Sequence, residues 1–199
     1  MVVLAAFTAA PVQADDTLLS QGQIAQAIEL GNQAKDGRDL GVEIKIGRSQ
    51  GLKSIGANLG GRLKSGIKDE IHPNEIATRF KGRLFTPQAW IAREAVANKK
   101  AGAPMQPSDV APEFRRSVVR LVIEEERYLP YIKRIVLRRD GSDEKGVSGT
   151  CAESICEFPL EQVKHLFNDE FVITVLIDTG EQQVENFKVG RDKLNLLPL

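Results

Sequence analysis

The run at 171–178 reads FVITVLID, and after the polar stretch 179–183 the chain continues as VENFKV over 184–189. Two runs of β-branched and aromatic residues of this length, joined by a short glycine-containing loop, specify an antiparallel hairpin. A hairpin with an apolar face is at best marginally stable alone in water, so the rest of the chain must cover it.

Candidates for that cover precede it. The segments 117–123 and 131–137 are rich in Val, Ile and Leu with charges interleaved, and the acidic, proline-containing turn 124–130 separates them. Residues 42–46 alternate apolar and charged side chains, and 75–85 holds another strand candidate that ends at Thr86-Pro87. Helical spacing occurs over 20–35, where Ile24, Ala27, Ile28 and Ala34 recur behind a capping Ser20 and Gly22 and Gly31 weaken the pattern. A threonine cap and a first-turn proline open a second helix at 86–100, which ends at Lys99, Lys100 and Gly102. Leu160, Val163, Leu166 and Phe167 share one face of a third, over 159–168. The stretches 101–112 and 140–149 read as connections.

Strands clustered in the second half, with helices before and between them, predict an α+β fold. Its antiparallel sheet comes mostly from the C-terminal half and packs with three or four helices. Residues 15–199 form one domain, with 15–70 a helical, glycine-rich basic part and 113–199 the strand-rich part.

The N-terminus reads MVVLAAFTAAPVQADD. An apolar run over 2–10 followed by Val12-Gln13-Ala14 fits a signal peptide cleaved after Ala14, although no Lys or Arg precedes the run. The expected location is secreted or periplasmic. No other apolar run approaches the roughly 18 residues that span a bilayer. Two cysteines occur, in Cys151-Ala152-Glu153-Ser154-Ile155-Cys156, and in an exported chain this spacing predicts a disulfide that pins one loop. With 27 basic and 27 acidic residues the net charge is zero, so no global field draws the molecule to nucleic acid, and any attraction must be local.

Local basic charge is concentrated over 44–68. Lys45, Arg48, Lys53, Arg62, Lys64 and Lys68 occur there without an acid, while Leu52, Ile55, Leu59, Leu63, Ile67 and Ile71 recur at three- and four-residue spacing. The pattern suits either a basic segment packed on the sheet or a surface that touches an anionic membrane or partner. Within it, Gly47-Arg48-Ser49-Gln50-Gly51 matches the G-x-S-x-G turn that carries the nucleophile of α/β-hydrolases. The resemblance covers five residues. Only residues 15–48 precede Ser49 in the expected mature chain, too few for the strands that normally come before the nucleophile; of the two histidines, His72 and His165, the candidate base His165 sits on an apolar-faced helix with no carboxylate partner motif.

Other chemistry has less support. Gly56 and Gly61 frame no phosphate loop, because Arg62-Leu63 stands where Lys and Ser or Thr are needed. Glu153, Glu157 and His165 beside the cysteines fall short of a zinc ligand set, and 140–144 lacks the calcium-loop glycine and glutamate. Trp90, Tyr128 and Tyr131 read as core and turn packing. No cofactor is implied. The sequence therefore predicts an exported, non-enzymatic binding or accessory domain whose partner is a protein or cell-envelope component. A small serine hydrolase using Ser49, or a protein attached to an anionic surface through 44–68, are the alternatives.

Overall fold

The computed structural model describes residues 18–45, 80–140, 146–168, 170–178 and 182–189. The expected signal segment, Ser49, His72 and most of the basic stretch lie outside them.

The first helix, α1, spans Gln21–Gln33. Ser20 and Gln23 cap it reciprocally: the Ser20 hydroxyl accepts from the Gln23 backbone N–H, and the Gln23 side chain accepts from the Ser20 N–H. Ile24, Ala27, Ile28 and Gly31 form its buried stripe. The second helix, α2, spans Pro87–Lys100, and the Thr86 hydroxyl accepts from the Ala89 N–H as its cap. The two helices lie against each other so closely that a Cβ on Gly31 would stand 2.3 Å from the Ala92 carbonyl oxygen. Gly31 weakens the helix as a peptide and makes the helix pair possible. Lys99 Nζ donates to the Asn32 carbonyl near the C-terminal end of α1, where the helix dipole favours a cation.

Among the described residues, nine strands form two antiparallel sheets rather than one. In the first sheet the order is β1 (Val42–Lys45), β2 (Lys81–Phe85), β3 (Val118–Ile123), β7 (Ile155–Pro159) and β6 (Thr150–Ala152). The second runs β5 (Val147–Ser148), β4 (Ile132–Arg139), β8 (Phe171–Asp178) and β9 (Gln182–Val189). The sheets pack face to face. Leu84, Val119, Leu121, Cys156 and Phe158 of the first meet Ile135, Leu137, Phe171, Ile173, Val175 and Phe187 of the second in one buried cluster. The opposite face of the first sheet carries the helices, with Phe85, Trp90, Ala92 and Val96 in the seam. The layers are thus helix pair, sheet, sheet, an α+β architecture of the class the strand and helix pattern predicts.

The chain passes from the second sheet to the first through β5, Gly149 and β6. Gly149 lies on Phe158, so closely that a Cβ there would meet the ring at 2.6 Å. Part of the stretch expected to be loop, 140–149, is therefore β5, and the expected turn at 124–130 overlaps the 3-10 helix Glu126–Tyr131, which takes the first residue of the strand expected from 131. The third helix is short: α3 covers Leu160–Val163 and passes into a 3-10 turn at Lys164–Asn168.

Candidate functional site

The cysteines occupy facing positions of an antiparallel pair. Cys151 on β6 is the register partner of Cys156 on β7, and the two are joined as a disulfide with Cα atoms 4.0 Å apart. The bond links an edge strand, all of it exposed, to a strand whose Cys156 is fully buried in the inter-sheet core. It fastens a hairpin rather than a loop. Glu153 makes the tight turn with a positive φ of 51°. The sequence missed this hairpin because TCAESIC offers little alternation of apolar and polar residues.

On the helix-facing side of the first sheet, a charged cluster crosses the seam. Arg120 of β3 is 3% exposed and donates through Nε to Glu157 on the neighbouring β7, at 2.9 Å, while Arg116 donates to the other carboxylate oxygen at 2.8 Å. A second Arg120 nitrogen donates to the Glu113 carbonyl. Burial pushes the Arg120 guanidinium below its ordinary value, and the Glu157 charge opposes that push. The Arg120 guanidinium also stands 5.2 Å from the Trp90 ring centre, and Arg93 stands 4.5 Å from it. Cation–π attraction to Trp90 is a further favourable contact for both. Among the described residues, Arg120 Nη1 and Trp90 Nε1 have no hydrogen-bond partner, and the rings of Phe85 and Phe114 pack edge-on near the indole. This cluster holds helix to sheet.

The outer face of the second sheet is different in kind. Register sets Arg134, Leu176 and Val184 in one row, Ser148, Val136, Thr174 and Asn186 in the next, and Arg138, Val172 and Lys188 in a third. Val184 is 57% exposed, one of two large apolar side chains so placed among the described residues, the other being Leu18. Arg134 donates to Ser148 Oγ, a neutral acceptor. Arg138 donates to Thr174 Oγ1 and to Asn186 Oδ1. Lys188 pairs with Asp140 at one corner, and that hydrogen bond holds its ammonium above the ordinary lysine value. Val172, in the third row, is only 1% exposed, so the open part of this face lies toward Arg134 and Val184. Of the four cations in IKRIVLRR of β4, Arg134 and Arg138 lie in these outward rows, and sheet pairing brings Lys188 of β9 beside them.

Of the residues singled out from sequence, Cys151 and Cys156 are joined, and most of the basic set lies outside the described residues. Of the basic set, Lys45 ends β1 as the register partner of Lys81. Arg48, Lys53, Arg62, Lys64 and Lys68 lie outside the described residues, as does Ser49. His165 is exposed in the 3-10 turn after α3, and no described carboxylate bonds to it. Trp90 and Tyr128 are core residues, as expected, and Tyr131 is half-buried in the turn before β4. Among the described residues, no group of three or more His, Cys, Asp or Glu side chains is placed to hold a metal, and no helix is long and apolar enough to cross a membrane. No protein-family model, no curated protein and no solved structure matches this chain.

Proposed function

We propose that the protein works outside the cytoplasm as a binding or accessory domain that acts by contact, with a protein or cell-envelope component as its partner. The observation that carries this reading is the outer face of β4, β8 and β9. There Val184 is exposed, Leu176 and Val136 are half-buried, and cations surround them on a rigid sheet. Interfaces favour arginine beside apolar residues, and strand positions hold such groups in fixed geometry. The Cys151–Cys156 bond supports the oxidising compartment, since such bonds persist there.

Site-specific photo-crosslinking in the producing cell tests the reading. A photoreactive residue at Val184 should yield a discrete adduct, whereas one at Lys35, on the opposite layer after α1, should not. A serine-reactive phosphonate that labels the wild type but not Ser49→Ala, with no adduct at Val184, would replace this reading with a hydrolase.

A further inference from the structure

The geometry points to one kind of occupant for the outer face of the second sheet: an amphipathic helix of a partner protein, with an aliphatic stripe flanked by carboxylates. This rests on the contact reading above and specifies its partner.

Charge selects the occupant. Arg134 and Arg138 of β4 border one side of the face and Lys188 of β9, paired with Asp140, the other, with half-buried Leu176 and Thr174 of β8 between them. The acid on that face of β8, Asp178, lies at its end and is already engaged by another group. A second copy of this face would oppose cation to cation. The chain's own aliphatic-striped segment carries Lys53, Arg62, Lys64 and Lys68, the wrong sign for this site. An acidic partner gains at Arg134 and Arg138, whose described hydrogen bonds go to neutral acceptors.

Shape selects a helix. Two strand spacings separate β4 from β9, about 10 Å, and a helix with its side chains is roughly 10–12 Å across. A helix lying along β8 would set its apolar stripe on Leu176, Val136 and Val184. Its flanking carboxylates would then reach Arg134 and Arg138, which lie four residues apart, about 13 Å along the strand, close to the span of two to three helical turns. An anionic membrane fits less well, because the outward rows contain no tryptophan or tyrosine to sit at the headgroup level.

Synthetic 18-residue helices provide the probe: one with a leucine stripe flanked by glutamate, and one with lysine in place of every glutamate. Titrated into the oxidised full chain, the glutamate peptide should bind saturably and at least fivefold more weakly in 300 mM salt than in 50 mM. It should shift backbone amides of β4, β8 and β9. Arg134→Glu and Val184→Asp should each weaken it at least fivefold, with Arg134→Gln intermediate and the circular dichroism spectrum unchanged. The lysine peptide should not bind. Equal binding of both peptides, indifference to Arg134→Glu, or no binding at millimolar peptide would overturn the inference. So would Arg134-dependent co-sedimentation with vesicles of phosphatidylcholine and phosphatidylglycerol in place of peptide binding. A Val184 crosslink to a partner protein together with failure of the acidic peptide would reject the acidic helix and leave the contact reading standing.

Discussion

Replacing Glu157 with glutamine tests the charged seam between helix and sheet. The substitution keeps the shape of the side chain and one acceptor oxygen, but removes the negative charge that Arg116 and Arg120 share. Arg120 is 3% exposed and would keep its charge, because a guanidinium stays protonated at any working pH. Its acid–base constant is lowered in the fold, chiefly by burial, so by linkage the folded state pays for that charge at every pH below the folded value. Glu157 is the main counter-charge that offsets this cost, and its loss leaves the Glu113 carbonyl and the Trp90 ring to compensate only in part. Breaking a buried pair by removing one partner costs about 3–5 kcal/mol. Glu157 is 27% exposed, so water screens part of the interaction, and about 2–3 kcal/mol is the expected loss. For a chain of this size that lowers the melting temperature by roughly 5–10 °C. Thermal and urea denaturation followed by circular dichroism measure it. Arg120→Met with Glu157→Gln should then be at least about 1 kcal/mol more stable than Glu157→Gln alone, because the orphaned charge is gone. A Glu157→Gln protein within about 0.5 kcal/mol of wild type, or a double variant no better than the single, would refute the counter-ion argument.

The two glycines of α1 should respond with opposite signs. Gly22→Ala meets nothing closer than the Ser20 hydroxyl at 4.0 Å and should stabilise by about 0.5–1 kcal/mol through helix propensity. Gly31→Ala drives a methyl into the Ala92 carbonyl and should destabilise by about 1–3 kcal/mol, and denaturant titration separates the two. Removing the disulfide as Cys151→Ser with Cys156→Ser should cost about 2 kcal/mol, since the bond closes a ring only five residues long in sequence separation, and the same titration reads it.

Local signals in the sequence were read at the level at which they act. Ser20 with Gln23, and Thr86 with Pro87, start helices in the structure because both caps need only neighbouring residues. The terminal hairpin followed from the length and branching of its two strands. What sequence could not supply was the partner of each face. Arg120 alternates with Val119 and Leu121 as a solvent-facing residue would, yet α2 covers that face and buries it. Gly31 read as a flaw in a helix because the flaw is a contact with another helix, 61 residues on at Ala92. The basic outer face is not legible in the sequence for a related reason: its cations are spread over β4 and β9, and only sheet pairing gathers them. The disulfide was legible from cysteine spacing, but its job changed from pinning a loop to fastening an edge strand.

The proposed extracytoplasmic location is open to one mass measurement. The full chain is produced in a bacterial host, the periplasmic fraction is treated with alkylating reagent without reductant, and the intact mass is recorded. The expected product is a chain beginning at Asp15, lighter than the reduced form by two hydrogens and free of alkyl groups. A chain retained in the cytosol with its N-terminal segment intact and both Cys151 and Cys156 alkylated would contradict it.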